Sequence, residues 1–545
     1  MSLASPGPNV PLLPPFVAML RRALDARGDA RAIWLEAAGL LHPVDDGAIH
    51  RLTMALVGDG RADDAVELAR LCDALAPTSP AAAFNHGYAL QHAGRHAEAI
   101  APYRRVLAVE PAWPSLKNNL AIAVRMTGGD DAEELALLEG AAAGAPSEPD
   151  AWINLVIARL RRHDLPGALD ASAKALALAP DSPLALTNAA MAYKEAQRWD
   201  DAERASRRVI ELEPGDASHR FNLALIRLAR GDYASGWPAH ELRWSGAPEL
   251  RGKLPALPGP RWRGEPLAGK TLLVWGEQGM GDLLQFARFV PALAERVHRE
   301  GGRLEWNAFP QMGDLLVRSL GAHVDGYRAG GGVDALPPFD YELALMSVPW
   351  MLGLGDALFG DTVPYLRADD AALARWRARF AESAQAGATP LRVGLAWTGS
   401  LAHQRNPFRR VGLDRYVAAF GGIGGVTFHS LQPGASADVA AARSAGFPIV
   451  DDTAELRTFD DTAAYVGALD LIVSVCTSVA HLGGALGRPT WVLLDVNPHW
   501  VWQLGRRDSP WYPSATLYRQ REFARWEPVM DEVARDLRAW AQRAG

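Results

Sequence analysis

The stretch Ala99–Pro111, AIAPYRRVLAVEP, decides how the first half of this chain folds. It opens on a small residue, carries apolar residues at helical spacing and stops at a proline, which cannot continue a helix. Sister segments lie on both sides: AVELARLCDALAP ends at Pro77, ALDASAKALALAP at Pro180 and AERASRRVIELEP at Pro214. Prolines stand at Pro43, Pro77, Pro111, Pro146, Pro180 and Pro214, with gaps of 34, 34, 35, 34 and 34 residues. Ala65, Ala99, Ala168 and Ala202 keep this step where a second helix must pack closely on a first.

A period of about 34 residues is that of the tetratricopeptide unit, a pair of antiparallel helices. Gly87 and Gly94 fall where such a unit needs a close contact and a turn. The copy near Glu133, EELALLEGAAAGAP, is the most degenerate. The reading is an α superhelix of about six repeats over residues 46–245, after an irregular helical cap over 1–45. Stacked repeats bury a continuous core and leave a concave groove suited to a protein or peptide.

Asn85, Asn119, Asn154, Asn188 and Asn222 recur at 34, 35, 34 and 34 residues. All fall on the first helix of their repeat, which predicts a line along the inner face. An amide offers both a donor and an acceptor, so the row could grip an extended peptide by its backbone. The alternative is that Asn is simply common at this repeat position. The column resembles the asparagine ladder in the repeats of protein O-linked N-acetylglucosamine transferase.

At 545 residues the chain is too long for one core, and length alone suggests three or four domains. It is 49% hydrophobic and 22% charged, with a net charge of -7. That balance argues against nucleic acid as a partner, which calls for a positive footprint. Two cysteines, Cys72 and Cys476, give neither a disulfide framework nor zinc-ligand spacing. His92 and His96 flank Gly94 in a repeat turn, and no metal is expected there. The first twenty residues lack a basic start and are broken by prolines, unlike a signal peptide. No apolar run suits a transmembrane segment, so the expected location is cytoplasmic.

Residues 246–269, rich in Pro, Gly and Arg, read as a linker. Gly264 and Gly269-Lys270-Thr271 match the Walker A pattern literally. A phosphate-binding loop of that kind follows a strand and opens a helix. Here Pro266 sits inside the pattern and a strand, TLLVW, follows it, so no P-loop is expected.

From residue 270 onward short apolar runs alternate with helical stretches, as in parallel sheets covered by helices. Two series are visible, an N-lobe over 270–385 and a C-lobe over 386–545, which predicts two Rossmann-like lobes with a ligand cleft at the carboxyl ends of their strands. Three strand-to-helix loops stand out. In Gly276–Asp282, GEQGMGD, glycines Gly279 and Gly281 allow close approach of a ligand, and Asp282 either faces the cleft or caps the helix. In Cys476–Ser478 the hydroxyls of Thr477 and Ser478 and free amides at a helix start suit a diphosphate, with His481 facing the ligand or filling the core. The third loop carries Thr398, His403, Arg405, Arg409 and Arg410, which either neutralise phosphate oxygens or form a solvated basic loop.

GEQGMGDLLQFARFVPAL, VGLAWTGS, FHSLQ, DTAAYVGALDLIVSVCTSVAHLGGALGRPTWVLL and DSPWYP together resemble bacterial tetratricopeptide-repeat glycosyltransferases. Their C-terminal module is similar to the ADP-heptose heptosyltransferases of GT-B fold, and the likeness covers nearly the whole chain. The resemblance implies Asp282 as general base, with Thr477, Ser478 and His481 beside the donor diphosphate. It implies Arg409 or Arg410 as the phosphate residue, and Gln432 where an acidic residue normally holds the ribose. The second motif normally begins with an Asp that contacts the donor sugar, and Cys476 stands there instead; a thiol cannot act as a two-oxygen acceptor.

The leading expectation is an inverting glycosyltransferase that moves a sugar from a nucleotide-sugar donor to a protein or peptide hydroxyl held by the repeats, without a metal or other cofactor. Cys476 favours an alternative, a nucleotide-binding scaffold or adaptor with weak or no catalysis. A glycan- or lipid-directed transferase is a third.

Overall fold

The computed structural model describes residues 13–277, 279–330, 335–355, 364–382, 390–401 and 403–544. They fall into two compact units, Met1–Ala192 and Tyr193–Gly545.

Helices Leu13–Asp25 and Asp29–Leu41 open the described chain, and antiparallel helix pairs follow. The first pairs are Asp46–Gly58 with Ala62–Leu75, Pro80–His92 with His96–Val109, Leu116–Met126 with Asp131–Gly144, and Pro149–Arg161 with Leu165–Leu178. Pro183–Glu195 with Trp199–Leu212, and Ala217–Ala229 with Tyr233–His240, complete an α-solenoid of tetratricopeptide repeats. The periodic prolines work as read: second helices end at Leu75, Val109, Gly144, Leu178 and Leu212, each two residues before its proline. Ala65, Ala99, Ala168 and Ala202 are fully buried, as the tight crossing within a pair requires. At Gly87 an added Cβ would lie 2.7 Å from the Tyr103 ring, so only glycine fits beneath it.

The turn within each pair shows a second periodic signal. Residues 60, 94, 128, 163, 197 and 231 all have positive φ, and four of the six are glycine. Glycine takes this left-handed conformation without a Cβ penalty; His163 and Gln197 take it against their preference.

Residues 247–270 hold no helix or strand and lead into an α/β domain. Its first sheet contains β1 (Thr271–Trp275), β2 (Arg303–Ala308), β3 (Gly326–Ala329) and β4 (Tyr341–Ala344), in the order β3-β2-β1-β4. The second contains β5 (Leu391–Ala396), β6 (Val426–Ser430), β7 (Ile449–Val450), β8 (Leu471–Val475), β9 (Thr490–Leu494) and β10 (Ala515–Arg519), in the order β10-β9-β8-β5-β6-β7. Every pairing in both sheets is parallel. The strands β8 and β9 are buried along their whole length, which explains their unbroken apolar sequences, LIVSV and TWVLL.

Strand order reverses between β1 and β4 in the first sheet and between β5 and β8 in the second. Chains leaving neighbouring strands in opposite directions open a crevice at these points. The loops after β1, β5 and β8 therefore occupy the places where such sheets take ligands.

One apolar core joins the first sheet to the terminal repeat of the second unit: Leu228, Tyr233 and Trp237 pack with Leu272, Phe286, Trp500 and Trp511. A separate core, with Phe428, Tyr416 and Leu537, fills the other side of the second sheet. The Walker-like residues run into β1 rather than into a helix, and Lys270 extends to Asp340 at 2.9 Å, so they form no phosphate loop. No helix among the described residues is long and apolar enough to cross a membrane.

Candidate functional site

The loop after β1 turns into helix Met280–Phe286, and its geometry follows from the glycines. Gly281 lies against the second sheet's helix Ser478–Ala485: a Cβ there would come within 3.2 Å of His481 Cδ2 and 3.5 Å of Ser478 Cα. The glycine loop and the Thr477-Ser478 helix start thus meet directly. Gln278, within this loop, lies outside the described residues.

Asp282 accepts a hydrogen bond from the Gly279 N–H at 3.2 Å, capping its own helix. Loss of water around the carboxyl pushes it up to about 6; the Gly279 N–H opposes that rise and the negative charge of Glu277 adds to it.

Glu277 itself is locked. Arg243, fully buried at the end of the terminal repeat, grips both its oxygens at 2.7 and 2.9 Å. The same guanidinium donates to Glu241 at 2.9 Å and to Ser347 at 2.8 Å, and the Met346 N–H donates to Glu277 at 2.7 Å. This network fixes the glycine loop, and no local sequence pattern marks it.

At the third loop, Cys476 is 9% exposed and burial pushes its thiol up, so it stands as a neutral group. The Trp502 indole N–H donates to its sulfur at 3.1 Å. Trp502 also stacks on His481 at 5.1 Å between ring centroids. His481 shares a hydrogen bond with the Tyr512 hydroxyl at 3.0 Å, and burial holds its imidazole down at about 3, neutral at physiological pH. Thr477 and Ser478 remain partly exposed at the helix start, and neither side chain caps it.

The arginine loop after β5 is braced from within. The Thr398 N–H donates to Gln432 Oε1 at 3.2 Å, and the Gly399 N–H donates to Asn406 Oδ1 at 3.0 Å. Arg409 lies over Gly399, where any Cβ would run into the guanidinium. Its charge favours the ionised forms of Cys476 and Asp495 and disfavours protonation of His499, which places it at the head of the second sheet. Among the described residues Arg409 has no carboxylate partner, and Arg410 points to the exposed side. Arg405 differs from both: it forks between Glu195, at 2.6 and 3.3 Å, and Asp495, at 2.7 Å.

The five asparagines do not form a uniform column. Asn85 and Asn188 are buried, with Asn85 Oδ1 2.7 Å from His50 Nδ1 and Asn188 donating to the Ile153 carbonyl at 2.9 Å. Asn154 donates to Asn118 at 2.9 Å, and Asn119, Asn154 and Asn222 stay partly exposed.

No family model matches the chain. Solved repeat structures align with part of it. The type IV pilus biogenesis factor PilW is 18% identical over 38% of this chain and 98% of that chain, at a TM-score of 0.35. A thermophilic TPR protein from Thermus thermophilus is 21% identical over 34% of this chain and 100% of that chain, at a TM-score of 0.30. Protein FlbA of Caulobacter vibrioides is 30% identical over 459 residues, 78% of this chain and 72% of its own length.

The expectation of an enzyme is corrected on the relative matched over most of both chains, which is Protein FlbA and is not named as a transferase. The expected glycosyltransferase, with its GT-B catalytic module and nucleotide-sugar donor, is corrected accordingly. At Cys476, where the resemblance led to the expectation of a carboxylate, the chain has a buried thiol that accepts a hydrogen bond from Trp502. With identity running through most of both proteins, the chain belongs to the family of Protein FlbA, and is a tetratricopeptide-repeat solenoid joined to a C-terminal α/β domain.

Proposed function

We propose that the protein is a non-catalytic scaffold: the repeats take a protein or peptide partner, and two Rossmann-like lobes in the α/β domain bind a phosphate-bearing ligand of the nucleotide class without transforming it. The observation that carries this reading is the contrast between Arg409 and Cys476. Arg409 offers a guanidinium with no carboxylate partner among the described residues, near enough to Cys476 for its charge to act just before the start of helix Ser478–Ala485, a combination suited to phosphate oxygens. Cys476, tied to Trp502, offers nothing to orient a reacting sugar. Asp282 keeps its Gly279 cap and serves to hold the glycine loop.

For the repeats, Asn119, Asn154 and Asn222 are the partly exposed amides within reach of a peptide backbone, with Asn154 also donating to Asn118. Asn85 and Asn188 serve the packing of the solenoid instead.

A thermal-shift series with nucleoside diphosphates tests the ligand half of the proposal, because a ligand that binds only the folded state raises its melting temperature. The expected result is a concentration-dependent rise that Arg409→Ala abolishes, with the nucleotide recovered intact after prolonged incubation. Consumption of the nucleotide would rule out the scaffold reading, and a flat response to every nucleotide would remove the ligand.

A further inference from the structure

We propose that Arg405 is a two-position switch through which a phosphate-bearing ligand in the α/β domain and the end of helix Pro183–Glu195 control each other. This rests on the ligand reading above and adds its regulation.

In the present state Arg405 is bound to Glu195 and Asp495, whose side chains are only 6% and 5% exposed. Glu195 is the last residue of helix Pro183–Glu195. A carboxylate there faces the negative end of the helix dipole and is disfavoured unless a cation holds it. Arg405 supplies that hold, and Asn497 adds one neutral hydrogen bond at 2.9 Å. Lys194 lies close enough to Arg405 and Glu195 for each to act on its ammonium, and Arg409 acts on Asp495 from the same loop as Arg405, so further cations stand beside the pair.

A phosphate group competes with those carboxylates for Arg405. It presents several acceptor oxygens to a guanidinium fork and carries more charge than a carboxylate. When it takes Arg405, Glu195 is left with Asn497 and the neighbouring Lys194, and the helix end loosens. The effect is reciprocal, since each binding event must alter the other by the same factor. A partner that fixes the end of helix Pro183–Glu195 holds Glu195 on Arg405 and weakens the ligand. A ligand that captures Arg405 frees the helix end.

The test uses the full chain and inorganic pyrophosphate as probe. Glu195→Gln removes the competing charge while keeping an acceptor for Arg405, and pyrophosphate affinity is expected to rise about five- to tenfold, measured by calorimetric titration. An unchanged or weaker affinity in this variant, against measurable binding to the wild type, overturns the switch and leaves the ligand site standing. No binding to the wild type sinks both together. Hydrogen exchange on the wild-type chain gives a readout independent of the variant's folding: saturating pyrophosphate should speed exchange at residues 193–198. Slower or unchanged exchange there contradicts the proposal.

Discussion

At residues 60, 94, 128, 163, 197 and 231 the solenoid makes the same left-handed turn, whereas the loops after β1, β5 and β8 share no residue pattern at all. The turns are interchangeable parts of a one-dimensional array, where each repeat leans on its neighbours and no position decides the whole. The loops are singular. Each is fixed by buried partners from elsewhere in the second unit: Glu277 by Arg243, Arg405 by Glu195 and Asp495, Cys476 by Trp502. Damage should therefore stay modest in the array and become severe at a single loop contact.

The largest expected effect is at Arg243. Arg243→Ala leaves Glu277 and Glu241 without their cation, and breaking a buried pair this way costs about 3–5 kcal/mol. Urea unfolding of the full chain would show it; a loss under about 1 kcal/mol would mean that the network is not the anchor of the glycine loop.

Gly87→Ala is the comparable insult inside the array. Its Cβ would drive into the Tyr103 ring, and overpacking of this kind costs about 1–3 kcal/mol. Circular dichroism melts of the variant would measure it.

Asp282 gives a pH-dependent contrast. Its carboxyl is raised from the usual 3.8 to about 6 in the folded chain. Stability from the protonated form is thus full below about pH 3.8 and lost as pH rises through 6. Asp282→Asn should raise stability by about 1–2 kcal/mol at pH 7.5, after discounting for partial exposure, and the gain should vanish near pH 4. A gain that is the same at both pH values would contradict the assignment.

The smallest effect is at Gly94→Ala. Nothing stands within 4 Å of the new Cβ, so the loss of about 1 kcal/mol comes only from the positive φ. If Gly94→Ala proves more damaging than Gly87→Ala, the array depends on its turns rather than on its helix crossings.

The same contrast explains what could be read from the residues alone. The solenoid was legible because its signals repeat: six prolines and four buried alanines mark helix ends and crossings one by one. Central strands such as β1, β8 and β9 were legible because buried strands read as apolar runs between helices, whereas β3, GYRA, and β10, ATLYR, gave no such run. The loops were found as glycine, hydroxyl and arginine clusters, yet their partners were not. Glu195 lies 210 residues from Arg405, and no period or spacing joins them. For the same reason neither reading of the arginine loop, phosphate-binding or solvated, showed that Arg405 is held by two carboxylates. Trp502 gave no signal either, because an indole that fills a position looks in sequence like any core aromatic. The asparagine spacing showed a shared helical position but could not separate the buried Asn85 and Asn188 from the partly exposed Asn119, Asn154 and Asn222.

Calorimetric titration of a nucleoside diphosphate into the full chain, followed by chromatography of the recovered nucleotide, tests the central claim most directly. The account predicts saturable heat that disappears in Arg409→Ala and a nucleotide returned unchanged. Heat that persists in Arg409→Ala, or a nucleotide returned as breakdown or transfer products, would contradict it.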